Sequence, residues 1–520
     1  LPSSRAVLRF NFCTKLKILA SIAPPSQSPE TLAVIVSQNA EIKRKTEKFM
    51  KKIITLLLIL ISNFAFSQDF FVYKISKPYC IFNFMETATN GNGTSSHFKK
   101  YIDDKTQNNL NFKNLCEEYK KINLSYNYKR YEFPDERRPN RSTYDLISII
   151  AVNSKNLKEF KESTIGILPI IEYQKLFKIF SDAENIYDEI IWNDYEKKIV
   201  NQKNRLIKLK NANVEIFNRF NKFYNSTWTN EIPFQIALYP IPGKKGSTTA
   251  TPHGNSLCIG VLTDETDYTG RNGVILHEMC HVLYDEQSKE FQKQLVSYFA
   301  DNNSEYSKFA SAYFDEALAT ALGNGWAYKN INGKIDEKEW YSDTYIEGFA
   351  RGIYPLVENY LNENKQIDKN FIDKSIEIFG LKFPNANADY SILLNKLYLY
   401  YDNEDESEIT IPLRKYFRLS NVNSSSPILH PYSIENLNEG SGNQLIIINE
   451  EQKNTLDKLK EIYPELSKIN FENKPLNLSF FDKKGNAVII LIVNNKVEFE
   501  NLIEQMNKEK YFDKTKVKQN

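Results

Sequence analysis

The chain has 520 residues, 41% of them hydrophobic, with 67 Lys and Arg against 65 Asp and Glu, five histidines and a formal charge of +2. That near balance excludes the strongly basic footprint of a nucleic-acid binder, and five cysteines over this length exclude a disulfide-built scaffold. Length and apolar content suffice for two or three domains with cores of their own.

In chain order, residues 1–49 begin without Met, show no sustained periodicity and read as translated upstream sequence. Met50-Lys51-Lys52, the apolar run Ile53 to Ile61 and the small-residue site Ala65-Phe66-Ser67 then supply the three parts of a secretory signal peptide over residues 50–67. Cleavage is expected before Gln68, with export to the periplasm or the exterior. No stable membrane insertion is expected afterwards, because no later stretch is long and apolar enough to span a bilayer. Residues 68–520 carry 57 Lys and Arg against 62 Asp and Glu, a formal charge of −5, so the basicity belongs to the leader.

Residues 68–230 read as a mostly helical region, with a strand within 70–86, helices from Ser96 to about Asn225, and the longest helix over 182–211. Tyr187, Trp192 and Tyr195 recur at helical spacing, which fits core packing, with a substrate cleft as the alternative. An oxidising compartment permits Cys80–Cys116 and Cys258–Cys280 disulfides, and free buried thiols are the alternative.

From Pro233 the period changes. Phe234 to Tyr239 alternates, a Gly/Ser/Thr/Pro loop runs from Pro242 to Gly254, and Ser256 to Val261 alternates again, so Leu257, Ile259 and Val261 face a core. His253 in that loop is either an exposed loop residue or a donor to a transition-state oxyanion.

Next comes His277-Glu278-Met279-Cys280-His281, an H-E-x-x-H pattern. Ile275, Met279 and Val282 recur at i, i+4, i+7, while His277 and His281, four apart, share another face and can aim two imidazoles at one ion. Glu278 is then positioned to act as a general base on water beside that ion. Gly and His are missing at the positions of an extended three-histidine motif, which hold Tyr284 and Gln287. A third ligand must therefore come from elsewhere. Downstream, Tyr313 to Leu322 forms a helix that Gly323 and Gly325 would stop, and Glu316 sits in it among Ala and Leu, where a carboxylate needs a cation.

Over roughly residues 230–330 the chain resembles the gluzincins, zincin peptidases whose third zinc ligand is a glutamate on a second helix. His277-Glu278-x-x-His281 matches the family motif, Asp315-Glu316-Ala317-Leu318-Ala319 resembles its glutamate motif, and Asp285 repeats an acidic residue seen after the motif in thermolysin-like members. The resemblance implies Zn2+ held by His277, His281 and Glu316, with Asp315, Glu286 and Glu305 as substitutes for the last. It also implies Glu278 as the catalytic base and Ser256 to Val261 as an edge strand that pairs with an extended substrate. Gluzincins commonly use a Tyr or His after the second helix to stabilise the oxyanion, for which Tyr345, in an amphipathic helix expected over 343–364, is a candidate.

Trp326 to Trp340 reads as a turn-rich connection, and further helices run to about residue 420, closing a catalytic region over 231–420. Residues 421–443, rich in Ser, Asn and Pro, read as a linker. Residues 444–520 form a small α/β domain, with a hairpin around Asp482 to Gly485 and a last helix over 498–506, and carry no catalytic constellation. The expected architecture is α+β, a zincin-like core with mostly helical flanks. The expected function is a secreted zinc peptidase acting on a peptide or protein substrate. The alternative is a secreted zinc-binding recognition or adhesion protein whose zincin fold is catalytically silent.

Overall fold

The computed structural model describes residues 69–512, apart from short breaks at 90, 92, 138–139, 403–404, 441, 450–451 and 469–475. The expected signal peptide over 50–67 lies outside the described residues. The described chain is mostly helical α+β.

Eleven strands occur among the described residues, and two sheets carry the core. In the first, β1 (Phe71–Lys74), β4 (Phe234–Ile241) and β6 (Ser256–Leu262) run parallel, and β5 (Ala250–His253) pairs antiparallel at the far edge of β6. The short strands β2 (Asn127–Lys129) and β3 (Asn140–Ser142) form a separate ribbon. Both faces of the first sheet are covered. Phe234, Ile236, Leu238, Leu257, Ile259 and Val261 pack with the helix that carries the histidine motif, while Ala237, Tyr239, Ile241 and Cys258 pack with the N-terminal helices. Burial on two sides is why β6 is apolar at nearly every position.

The sheet corrects the edge-strand expectation, since β6 is internal and the edge belongs to β5, inside the stretch that reads as a loop. Gly254, with φ of 57°, opens the two-residue turn that sets His253 opposite Ser256. Pro252 lacks an N–H to donate and is tolerated because β5 has a free side.

The N-terminal half also differs in detail. The strand expected over 70–86 ends at Lys74, and a helix starting at Lys77 follows, capped by Ser76. The helix expected over 182–211 is part of a longer helical run from Ile170 to Tyr224, interrupted by a π-helical turn at Asp188–Trp192 and a 3-10 turn at Ile207–Leu209. Tyr187 is buried, and Trp192 and Tyr195 pack against the same cluster, as core residues do. Cys80, Cys116, Cys258 and Cys280 are all free and buried.

The second sheet has the order β10-β11-β9-β7-β8: β7 is Lys396–Tyr400, β8 Asn421–Ser425, β9 Gln444–Ile448, β10 Leu476–Phe481 and β11 Ala487–Ile492. It begins before the expected boundary at residue 444, and the expected linker holds both β8 and a helix over Pro431–Glu439. One face, through Leu397, Leu399, Leu445, Ile489 and Leu491, belongs to the same core as the motif helix. The other face, through Ile446, Leu478 and Ile490, has a smaller core of its own. Among the described residues no helix is long and apolar enough to cross a membrane.

Candidate metal centre

The motif helix spans Tyr268–Asp285, with Asp267 as N-cap accepting from the Gly270 N–H at 2.9 Å. It is pinned before its metal face begins. Asn272 and Asn213 exchange side-chain amide bonds of 2.8 Å in both directions, deep in the core, and Arg271 grips Glu265 through two bonds of 3.0 and 3.1 Å. Ile275, Met279 and Val282 then enter the core, and His277 and Glu278 are buried as well.

A second helix over Ser307–Thr320 carries Glu316. It does not stop at Gly323, and the reason is packing. The chain continues through a π-helical turn at Ala321–Ala327 that lies backbone to backbone against the motif helix. A Cβ on Gly323 would stand 2.6 Å from both the Gly273 carbonyl oxygen and the His277 nitrogen. Gly323 thus permits the close approach that brings Glu316 and Thr320 to His277.

The three expected ligands come together. The Nε2 atoms of His277 and His281 are 3.0 Å apart, and Glu316 Oε2 lies 3.6 Å from the first and 3.8 Å from the second. A circle through these three atoms has a radius of about 2.0 Å, so one point lies at metal-ligand bonding distance from all of them. Asp315, an acceptor, sits 3.0 Å from His281 Nδ1, which holds a proton there and leaves Nε2 as the nitrogen that can give up its proton to a metal. Thr320 Oγ1 lies 3.4 Å from His277 Nδ1 and contacts the other ring from the helix that carries Glu316. Two ring nitrogens and a carboxylate oxygen converging on one point make a cluster that a cation can share.

Charges follow the same geometry. Burial disfavours ionised Glu316, but the bond to His277 and the charges of His281 and Arg418 prevail and hold its carboxyl well below the usual range. Burial also lowers the His281 pKa, but Asp315 and then Glu316 and Glu278 reverse this and raise it well above its ordinary value. Glu278 is raised, by burial first and by the Glu316 and Asp315 charges, against the opposing effect of the two imidazoles. Among the described residues no hydrogen bond or ion pair reaches the Glu278 carboxylate.

Other expected residues lie elsewhere. Tyr345 gives its hydroxyl to Asp389 and packs against Tyr313 and Phe383. His253 is neither exposed nor free: its Nδ1 is 2.8 Å from Asp145, and its ring stands edge-on to Tyr144. Asp285 lies 3.7 Å from Arg141, and the acid that holds His281 is Asp315. Glu305 accepts from Asn387, and Glu286 lies 3.9 Å from Arg141, so neither joins the cluster.

Sequence reasoning missed Thr320, Tyr341 and Arg418. Thr320 was findable, since it follows Glu316 by four on the same helix face. Arg418 donates to Glu316 Oε1 at 2.9 Å and to the Tyr341 hydroxyl at 3.3 Å, and the Tyr341 ring stacks on His277 with centroids 6.0 Å apart. Both reach the site through tertiary structure alone. Beside the cluster opens a cavity of about 1300 Å³, bounded by Asp315 and Glu316, by Arg137 and Arg141 near the β2–β3 ribbon, and by Lys396 of the second sheet. Comparison with known proteins finds no family model, no curated protein and no solved structure that matches this chain.

Proposed function

We propose that the protein is an exported zinc-dependent peptidase of gluzincin type, with a zincin-like core. The observation that carries this reading is the convergence of His277 Nε2, His281 Nε2 and Glu316 Oε2 around a point about 2.0 Å from each. Two imidazoles and one carboxylate favour zinc over the oxygen-seeking Mg2+ and Ca2+, and three protein ligands leave a position open, as a catalytic rather than a structural site does.

A zinc ion held by these residues supplies Lewis acidity toward a peptide carbonyl and toward water. The chain's own groups do the rest. Glu278, buried, unpaired and raised in pKa, takes a proton from the attacking water and passes it to the leaving amine. Asp315 and Thr320 hold the imidazoles in orientation. Tyr341 and Arg418 put a phenol and a guanidinium beside Glu316, where donors stabilise a developing oxyanion, a role that Tyr345 cannot fill with its hydroxyl committed to Asp389. The free side of β5 offers backbone groups to an extended peptide. The leader over 50–67 supports action in the periplasm or outside the cell.

The test is digestion of a peptide library by the zinc-loaded protein, compared with Glu278→Gln. Cleavage by the wild type and a loss of roughly 100-fold or more in the variant are expected. Equal cleavage by both would remove Glu278 from the mechanism.

A further inference from the structure

The cavity beside the metal trio is lined by charges of both signs, and nearly every carboxylate there is already engaged. Glu316 is held by Arg418, Asp315 by His281, and Glu305 by Asn387, while Asp285 faces Arg141 at 3.7 Å. Four cations have no such match, and two of them, Lys308 and Lys484, donate to the backbone carbonyls of Gly485 and Glu439. Lys396, at the start of β7, is exposed toward the cavity and has no hydrogen bond or ion pair among the described residues. Arg137 has only neutral hydrogen-bond partners among the described residues: it donates to the Tyr284 carbonyl at 2.6 Å and to Gln287 at 3.1 Å, and its guanidinium lies 3.6 Å from the centre of the Tyr284 ring.

We propose that Lys396, backed by Arg137, binds a carboxylate of the substrate, so that the preferred peptide carries an acidic side chain or a free C-terminal carboxylate near the cleaved bond. An ammonium in a recess walled by protein loses much of its hydration, and an anionic ligand restores what is lost. Desolvation lowers the Lys396 pKa, Arg137 adds to the lowering, and Asp315 and Glu136 oppose it, so Arg137 is near enough for the two positive charges to repel. A carboxylate between them removes that repulsion. The internal rival is Glu136, on the exposed turn next to Arg137, which would occupy Lys396 in place of substrate. The position also gives the second sheet a role, since β7 sets Lys396 in the lining of the cavity that Glu316 also lines.

This inference rests on the peptidase reading for its chemistry but not for its binding, and the test separates the two. The zinc-loaded full chain is given three fluorogenic peptide pools of one length: acidic side chains with an amidated C-terminus, no acid with a free C-terminus, and neither. One carboxylate-bearing pool should exceed the third in kcat/KM by roughly tenfold or more, mainly through KM, and which one does so identifies the source. Lys396→Met should bring that ratio toward one, and Lys396→Arg should keep most of it. A wild-type ratio near one, or a ratio that survives Lys396→Met, overturns the proposal. If no pool is cut, the peptidase reading fails by itself, and fluorescence anisotropy of labelled members of each pool on Glu278→Gln protein decides the binding. Tighter binding of a carboxylate-bearing pool, dependent on Lys396, supports the site, and equal or absent binding overturns it.

Discussion

Adding one methyl group at Gly323 should loosen the metal site from a distance. Its Cβ would meet the Gly273 carbonyl oxygen and the His277 nitrogen at 2.6 Å and the His277 Cα at 2.9 Å, all backbone atoms that cannot swing aside. Restoring ordinary contact requires the two helical segments to part by about 0.8 Å. If the Glu316 carboxylate follows, the circle through the three donor atoms widens from about 2.0 to about 2.4 Å, beyond the length of a zinc–oxygen bond. Overpacking costs about 1–3 kcal/mol, and the better helix propensity of Ala returns up to about 1, so Gly323→Ala should fold with a modest loss of stability. Its zinc affinity should fall by roughly 10- to 100-fold, the range typical of disturbing the supports of a ligand. The assay is zinc retention against a graded chelator, run beside thermal melts. Gly325→Ala is the control, because the atoms nearest its Cβ, at 2.8 to 2.9 Å, belong to the side chains of Trp340 and Tyr354 rather than to backbone. It should lose stability without losing affinity. Wild-type zinc affinity in Gly323→Ala would refute the idea that this backbone contact sets the ligand geometry.

Glu278→Gln should keep zinc at the wild-type level while losing activity, and loss of the metal on elemental analysis would recast Glu278 as a support for binding. Asp315→Asn should weaken zinc by roughly tenfold, less than Glu316→Ala, because it frees His281 Nδ1 without removing a ligand; equal losses in chelator competition would contradict the ranking. Asp145 is buried enough to raise its carboxyl pKa, but bonds to His253 and Ser142 lower it overall, below its ordinary value of 3.8. A depressed pKa stabilises the fold above the unfolded value and is lost as pH falls through the folded one. Asp145→Asn should therefore cost about 1–2 kcal/mol near neutrality and progressively less as pH falls from 3.8 through the depressed folded value, and a pH-independent difference in melting temperature would argue against this.

What could be read from the sequence was what lies close together along it. His277, Glu278 and His281 share one helical turn, so their spacing alone brings two imidazoles together. Glu316 was legible through cost, as a carboxylate in an Ala/Leu helix. Gly323 misled because a glycine after a helix usually marks its end, whereas here it serves an interhelical contact that no local pattern records. Tyr341 and Arg418 gave no local signal, and Arg418 reaches Glu316 across 102 residues. Tyr345 drew attention by its position after the second helix, yet a hydrogen bond to Asp389 claims its hydroxyl. Two strands were hidden for related reasons. β5 holds a proline and β8 is mostly exposed and polar, and edge strands need neither alternation nor a full set of donors.

The central claim, one zinc ion held by His277, His281 and Glu316, is tested most directly by zinc-edge anomalous diffraction from crystals of the metal-loaded protein. The account predicts a single strong peak about 2.0–2.2 Å from His277 Nε2, His281 Nε2 and a Glu316 oxygen. A zinc-loaded crystal with no peak among these atoms, or with a peak whose ligands exclude Glu316, would contradict it.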